Sequence, residues 1–235
     1  MRAIQIIVEG NWGHFKRPET NNNPLSHDLI TKTALIGMIG AVLGKERAEM
    51  KPLFPQLSED ILYGVQLLHP VKKISWGFTS RTAFKPWEPG TPKYFEFLKN
   101  PKFKVAIALK DERSEIIFLD FLKSVKSSEA IYTPVLGWHN CPASIELEAE
   151  SEFSEIQNGV FDTFCFVEKP PIHKPKLTGL SFRLGFDKLP TYQDNDYWNK
   201  PEFYKEVIYP DAGHSISIEG EYYEFLKDKS KWWLI

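Results

Sequence analysis

The chain has 235 residues, of which 42% are hydrophobic and 26% charged, and its formal net charge is −2. This length suits one large domain or two small ones with a substantial core, and the slightly acidic balance argues against a free-standing nucleic-acid binder, which usually carries a basic excess. The two cysteines are too few for a disulfide framework and indicate reduced thiols in a cytoplasmic protein.

Neither a membrane protein nor a secreted one is expected. The longest run of small or apolar residues spans 34–44, whereas a transmembrane helix needs about 20 such residues. The apolar run near the N-terminus is too short for a signal peptide and lacks a cleavage pattern.

Charge is distributed unevenly along the chain. Residues 71–104 carry eight cations and two anions, whereas residues 145–156 carry five glutamates and no cation. This asymmetry predicts one basic region on the folded molecule, although both runs are also compatible with ordinary solvated faces.

The first elements are predicted from the spacing of apolar and loop-forming residues. Residues 3–9 are β-branched and roughly alternating, which indicates a strand. Residues 10–27 contain Gly, Pro, Asn and Ser and indicate a long loop. Thr31 or Thr33 can then cap a helix that runs to about Leu43.

Further elements and an insertion follow. Residues 61–70 and 104–110 are predicted strands, and 131–137 is predicted to be a fourth strand that ends in a turn. Residues 114–125 carry apolar side chains at helical spacing and are predicted to form a second helix. The segment 71–102 lacks clean periodicity and is interrupted by prolines, which favours a protruding hairpin or an ordered insertion.

This order of elements, β-α-β-insertion-β-α-β, predicts an α+β fold. It is the ferredoxin-like plan that RNA-recognition (RRM-like) domains share with many metabolic and regulatory domains, so the fold alone does not decide the function. After residue 142 the pattern changes to short apolar runs separated by turns. We therefore expect a ferredoxin-like domain at 1–142, with the insertion at about 71–104, and a smaller, mainly β subdomain at 143–235.

Motifs of the common catalytic and metal sites are missing from the sequence. It contains no C-x-x-C, H-E-x-x-H or G-x-S-x-G pattern, and the glycines of 37–46 do not have the spacing of a phosphate-binding loop. The six histidines are scattered, so no metal site is predicted. Acid–base chemistry by His14 or His139 is the remaining catalytic option.

Two glycines inside the first predicted helix require an explanation. Gly37 and Gly40 each cost roughly 1 kcal/mol relative to alanine in a helix interior. A close approach of the backbone to another group compensates for such a cost. Two causes are open: tight packing against the sheet, or the approach of a ligand backbone.

Three segments of the sequence resemble a known family. EGNWGHFKRPET, at 9–20, and TKTALIGMIGAVLG, at 31–44, resemble the N-terminal signature of the fifth family of CRISPR-associated proteins, which are subunits of the type I RNA-guided surveillance complex, Cascade. YTPVLGWHNCPASI, at 132–145, is similar to a later segment of that family. The family's arginine is replaced by Lys16, with Arg17 beside it. The positions that match the signature are Gly10, Phe15, Pro18, Thr33, Leu35, Gly37, Leu43 and Gly44.

The resemblance implies a ferredoxin-like domain with a β-hairpin thumb inserted after its second strand. Members of the family cap the 5′ handle of the guide RNA. They also contact the helical backbone subunit and the large subunit that reads the protospacer-adjacent motif, so target DNA is an indirect partner. The basic, aromatic insertion at 71–104 fits the thumb, because single-stranded RNA is bound by cations and by flat rings that stack on bases. Most phenylalanines of the insertion are expected in the hairpin's own core, and Phe15 in the core of the domain.

The residues expected to bind RNA come from the resembling segments and from the insertion. Glycine backbones let phosphates approach, Lys and Arg side chains neutralise them, and aromatic rings stack on bases. The expected contacts are Trp12, His14, Lys16, Arg17, Thr33, Gly37, Lys72, Lys73, Trp76, Arg81, Lys85, Trp87, Gly137 and Trp138.

One branch of the family cuts precursor guide RNA with Tyr, Lys and His side chains near the thumb. Residues 71–131 contain no histidine, and we therefore expect a non-catalytic RNA-binding subunit without a metal or cofactor. The alternatives are a guide-RNA-processing endoribonuclease of the same superfamily and an unrelated ferredoxin-like metabolic or regulatory domain.

Overall fold

The computed structural model describes residues 1–81, 84, 87–178, 180–193 and 203–235, which form a mixed α/β fold with several antiparallel sheets. The described α-helices are α1 (Lys32–Val42), α2 (Arg47–Asp60) and α3 (Glu115–Lys126), and a 3-10 turn at Glu112–Ser114 precedes the last of them. The described strands are β1 (Arg2–Glu9), β2 (Trp12–Gly13), β3 (Ile61–Leu67), β4 (Lys73–Ser80), β5 (Thr91–Lys99), β6 (Lys102–Leu109), β7 (Ser144–Glu152), β8 (Gln157–Thr163), β9 (Val167–Glu168), β10 (His173–Pro175), β11 (Leu184–Pro190), β12 (Tyr204–Pro210), β13 (Ile216–Glu224) and β14 (Lys231–Trp232).

A four-stranded antiparallel sheet in the order β3-β6-β1-β7 organises the first part of the chain. The C-terminal residues pack directly on it. A Cβ added to Gly64 of β3 would lie only 2.7 Å from the carbonyl oxygen of Trp233, and Ile235 exchanges two backbone hydrogen bonds of 3.0 Å with Tyr63. The C-terminal segment therefore covers the sheet at β3 and pairs with its outer edge.

The first predicted strand and helix are confirmed. Thr31 is the N-cap of α1: its Oγ1 accepts a hydrogen bond of 3.1 Å from the Ala34 backbone N–H, which satisfies one of the donors that have no partner inside the helix. The helix ends at Val42. Gly44 follows with a φ of +67°, a left-handed conformation that favours glycine after a helix.

The helix α2 is absent from the elements predicted above. It contains Pro52 and Pro55, which lack the N–H group that a helix interior uses and which normally indicate a break. Its start is fixed by a capping box in which the Glu49 carboxylate accepts a hydrogen bond of 2.8 Å from the Glu46 backbone N–H. Capping and packing against α1 therefore outweigh the cost of the prolines.

The prediction of a fourth strand at 131–137 is wrong. That segment forms only an isolated β-bridge, and the fourth strand of the sheet is β7, which pairs with β1. Exposed glutamates in β7 alternate with the more buried Ile145, Leu147 and Ala149, which is the pattern of a strand with one covered face. The sheet therefore continues beyond residue 142, where the sequence placed a domain boundary.

The insertion folds as the predicted hairpin. β4 and β5 pair antiparallel with Trp76 opposite Phe95, and β2 pairs with the far end of β5 through Trp12 and Lys99. The resulting sheet, β2-β5-β4, ties the hairpin to the loop that follows β1.

The later residues supply two more antiparallel sheets. In one, β13 pairs with β8, β10 and β14, and in the other β12 lies between β11 and β9. Strands thus dominate the described residues after β7. None of the helices in the described part of the chain is long and apolar enough to cross a membrane.

Candidate nucleic-acid interface

The loop after β1 and the turn at 136–139, which carry two of the resembling segments, lie against each other. The His14 backbone N–H donates a hydrogen bond of 2.9 Å to the Leu136 carbonyl oxygen. A Cβ at Gly137 would lie 2.2 Å from the His14 carbonyl oxygen, and a Cβ at Gly10 would lie 2.6 Å from the Pro142 carbonyl oxygen. The glycines of both segments thus allow two backbone stretches to pack together.

One face of the hairpin carries a continuous group of aromatic rings. Residues paired across the strands share a face, and Trp76 and Phe95 are such a pair. Trp138 stacks on Phe95 at 5.3 Å between ring centroids with an angle of 13°, and Trp12 lies 4.4 Å from Trp76. We call this group the ring face; its members are Trp12, Trp76, Phe78, Phe95, Phe97 and Trp138.

The ring face is buried at one side and open at the other. Phe97 is buried, as expected for most phenylalanines of the insertion, whereas Trp76 is 41% and Phe78 is 37% exposed. Lys93 lies opposite Phe78 in the register and therefore adds a cation to the same face. Lys93 was not among the predicted contacts, although its alternation with Phe95 in the sequence is a signal for it.

The tip of the hairpin exposes further aromatic surface. Phe84 is 89% and Trp87 is 78% exposed, and Arg81 is also exposed. The predicted contact Lys85 lies outside the described residues.

A groove of about 320 Å³ lies at the start of α1, and one residue that lines it, Gly137, directly precedes Trp138 of the ring face in the chain. Four predicted RNA contacts line it together, which the sequence positions alone did not require. Pro190, which ends β11, and Gln193, which follows that strand, also line the groove, and no local motif in the sequence indicated them. We call this cavity the groove; these six lining residues are Lys16, Thr33, Gly37, Gly137, Pro190 and Gln193.

The groove combines a cation with an open stretch of helix backbone. Lys16 is exposed and has no ion-pair partner among the described residues. A Cβ at Gly37 would meet nothing nearer than Phe54 at 4.0 Å, whereas a Cβ at Gly40 would lie 2.4 Å from the Met50 sulfur. Gly40 is therefore explained by packing against α2, and Gly37 leaves free space above the helix backbone.

His14, a predicted base-stacking residue, lies inside the protein. Its side chain is 4% exposed, its Nδ1 is 2.7 Å from the Glu96 carbonyl oxygen, and its ring lies 5.4 Å from that of Phe97. Burial lowers the pKa of His14 below its usual value, which favours the neutral form of the ring. His14 packs under the hairpin and has no free face for a base.

Two predicted phosphate ligands, Lys73 and Arg17, are held in ion pairs within the protein. Lys73 Nζ lies 2.5 Å from Asp28 Oδ1 and 2.9 Å from Glu96 Oε1, and Arg17 Nη2 lies 3.2 Å from Asp187 Oδ1. The carboxylates come from three separate parts of the chain: Asp28 from the loop before α1, Glu96 from β5 and Asp187 from β11. Of the neighbouring predicted cations, Lys72 is exposed.

Comparisons with known proteins give a family and a fold. The family model of CRISPR-associated protein (Cas5) matches residues 3–162. A CRISPR protein from Archaeoglobus fulgidus has a similar structure, with a TM-score of 0.64 and 14% identity over 99% of this chain and 98% of that chain. A chain of a CRISPR RNA-guided surveillance complex has a TM-score of 0.50 and 12% identity over 89% of this chain and 90% of that chain. No curated protein sequence matches the chain.

Proposed function

Because the chain belongs to the CRISPR-associated Cas5 family, we propose that it is a non-catalytic RNA-binding subunit of a type I surveillance complex. In this proposal it caps the 5′ handle of the guide RNA and connects the backbone subunit to the large subunit. The observation that carries the proposal is the packing of the loop after β1 against the turn at 136–139, which carry two of the three resembling segments. The turn at 136–139 supplies Gly137 to the groove, where Lys16 has no ion-pair partner among the described residues, and Trp138 to the partly exposed ring face.

The topology supports the assignment of a ferredoxin-like domain and an inserted thumb to this chain. The strand order β7-β1-β6-β3, with α1 and α2 between β1 and β3 and α3 between β6 and β7, corresponds to a ferredoxin-like domain. The β4–β5 hairpin is inserted between the second and third strands of that sheet, which is the place of the thumb. We therefore assign the hairpin as the thumb.

Phosphates and bases would occupy different parts of this surface. Lys16 supplies positive charge in the groove, and Gly37 leaves room for a phosphate close to the helix backbone. Trp76 and Phe78 offer exposed rings on which unstacked bases stack. Gly137 lines the groove while its neighbour Trp138 belongs to the ring face, so one strand of RNA can contact both.

Of the histidines near the hairpin, two are buried and two are exposed. His14 and His27 are 4% and 2% exposed, and neither can reach an RNA strand. His139 is exposed beside Trp138, at 5.1 Å between ring centroids. His69, which precedes β4, is also exposed, with its Nδ1 3.1 Å from the Asn100 carbonyl oxygen, so these two histidines are the ones to test. The described residues contain no group of three or more His, Cys, Asp or Glu side chains that could hold a metal ion.

Co-expression with the other complex subunits and a repeat array tests the binding role. The purified complex is expected to contain guide RNA, and Lys16→Ala combined with Trp76→Ala should reduce the RNA per complex. Lys227→Ala combined with Phe164→Ala is the matched control, because both side chains are exposed and lie outside the groove and the ring face. Equal RNA content in the two double variants would contradict the proposal.

Incubation of the isolated protein with repeat RNA tests the absence of catalysis. No discrete 5′-handle product is expected, with or without divalent metal. Formation of such a product would show that the chain is a processing endoribonuclease and would overturn the non-catalytic assignment, and loss of the product in His139→Ala would identify His139 as part of the site.

A further inference from the structure

A buried carboxylate in the C-terminal part of the chain is bonded to the loop that carries Lys16. Asp187 lies on β11 with a fully buried side chain. Its Oδ1 accepts hydrogen bonds from His27 Nδ1 at 2.8 Å and from Arg17 Nη2 at 3.2 Å, and its Oδ2 accepts one from the Asp28 backbone N–H at 2.8 Å. Three separate groups of one loop thus converge on a single side chain.

These contacts reach both limbs of the loop. An isolated β-bridge between Lys16 and Ser26 joins the two limbs. Arg17 lies on the first limb and His27 on the second, and both bond to Asp187. The carboxylate therefore fixes the stem of the loop on which Lys16 is carried.

The same strand also supplies part of the groove wall. Pro190 ends β11, and Gln193 follows it; both line the groove with Lys16. β11 thus sets the wall of the groove directly and, through Asp187, the position of the cation opposite. Asp187 lies outside residues 3–162, which the family model covers.

We propose that Asp187 is a positioning residue that holds Lys16 in the orientation that binds RNA, so that the C-terminal sheet controls the affinity of the N-terminal groove. This inference rests on the proposed function of the groove. It gives the C-terminal part of the chain a role in RNA binding without any contact of its own to a base.

The charge of Asp187 is maintained by its partners. Burial raises the pKa of a carboxyl group, but the hydrogen bond and charge of His27, the Asp28 N–H and the charge of Arg17 outweigh burial and hold the pKa of Asp187 below its usual value. Loss of this charge leaves the Arg17 guanidinium without its carboxylate partner, and the stem of the loop loses the side chain to which it is hydrogen-bonded.

A double-mutant cycle with the full-length protein tests the inference. The probe is a labelled single-stranded RNA with the repeat-derived sequence that precedes the guide, and the variants are Asp187→Asn, Lys16→Ala and their combination. Each single variant should weaken binding roughly fivefold to tenfold. The combination should bind no more weakly than Lys16→Ala alone, because a residue that acts through Lys16 has nothing further to remove.

Asp60→Asn controls for a purely structural effect. Asp60 is another buried carboxylate, and it pairs with Arg113 at 2.5 Å away from the groove. Its loss should lower the free energy of unfolding and leave the RNA affinity of the folded protein unchanged. Should Asp187→Asn fail to fold, Arg17→Gln removes the more exposed contact to Asp187 together with the hydrogen bond from Arg17 Nε to the Ser26 carbonyl oxygen on the other limb of the loop, and it should show the same non-additivity with Lys16→Ala.

The outcomes separate this inference from the proposed function. Normal affinity of folded Asp187→Asn, or an additive loss in the combined variant, would overturn the role of Asp187 while leaving the groove intact. Normal affinity of Lys16→Ala would overturn both.

Discussion

The α-carbon of Gly137 is in direct contact with the backbone of His14. A Cβ at position 137 would lie 2.2 Å from the His14 carbonyl oxygen, and Gly137 has a φ of +82°. Two segments that lie more than one hundred residues apart in the sequence are held together at this point. Through this contact Gly137, which lines the groove, packs against the loop that carries Trp12 of the ring face.

We expect Gly137→Ala to destabilise the protein by about 3 kcal/mol, because it combines a left-handed backbone conformation with a clash against backbone. Gly213→Ala is the matched control: Gly213 has a φ of +79° but no atom within 4 Å of an added Cβ. It should cost about 1 kcal/mol, for the conformation alone. Urea unfolding of both variants measures the difference, and equal values would show that the packing of the two segments contributes nothing.

Gly37→Ala should separate stability from binding. The added methyl group meets only Phe54 at 4.0 Å, so alanine should stabilise α1 by up to about 1 kcal/mol. RNA binding should nevertheless weaken, because the methyl group occupies the space left for a phosphate. Thermal melts and RNA titrations of the same preparation test both effects. A more stable variant with unchanged affinity would show that Gly37 does not face RNA.

Gly40→Ala is the control for that experiment. Its methyl group would lie 2.4 Å from the Met50 sulfur, so the buried Met50 side chain must move to accept it. We expect lower stability, with any change in RNA affinity explained by the fraction unfolded.

Salt dependence should distinguish Lys16 from Trp76. Each neutralised phosphate contributes about 0.7 to the slope of log K against log salt on single strands, so Lys16→Ala should make the slope shallower by about that amount. Trp76→Ala should cost about 1–3 kcal/mol of binding with the slope unchanged, because stacking is not ionic. Titrations at several salt concentrations, with Lys227→Ala and Phe164→Ala as controls, provide the measurement.

The ion pair of Arg17 with Asp187 changes what the double variant Lys16→Ala, Arg17→Ala should show. Two phosphate ligands would change the slope by about 1.4, but one ligand and one structural ion pair would change it by about 0.7. A value near the larger number would mean that Arg17 leaves Asp187 to bind RNA.

Local signals in the sequence predicted the elements that local chemistry determines. The cap at Thr31, the strand β1 and the hairpin in the insertion are confirmed, although burial in β1 does not alternate, because residues 3–6 are all buried in this inner strand. The prediction of a strand at 131–137 is wrong: the fourth strand is β7, whose exposed glutamates alternate with more buried residues and whose partner β1 is distant in sequence. The prolines of α2 concealed a helix that capping and tertiary packing stabilise.

In the candidate site, too, local motifs predicted some residues, whereas the contacts between distant segments could not be predicted. The resembling segments predicted Lys16 and Gly37, which the structure places in one groove. The sequence could not show that Lys73 and Arg17 find carboxylates, because the partners Asp28 and Asp187 are brought near by the tertiary fold. Free and paired cations look alike in a sequence, and only the contacts distinguish them.

The stability of the protein should rise with pH above neutrality because of Lys32. This side chain is 3% exposed, and its Nζ donates a hydrogen bond of 2.8 Å to the Ser58 carbonyl oxygen. Burial, with a smaller contribution from the charge of Lys110, lowers the pKa of Lys32 to about 7. In the unfolded chain its pKa is about 10.4. Between these values the unfolded state binds a proton that the folded state does not.

The Lys32 contribution to the free energy of unfolding should therefore increase by about 1.4 kcal/mol per pH unit from just above pH 7 to about pH 10. Lys32→Met keeps the length of the side chain and removes the titrating group. It should be more stable than the wild type at pH 7, and this advantage should shrink as the pH rises. Urea unfolding of both proteins at pH 7, 8 and 9 gives the difference, in which the other titrating groups cancel. A difference between Lys32→Met and the wild type that stays constant from pH 7 to pH 9 would show that Lys32 stays protonated in the folded protein.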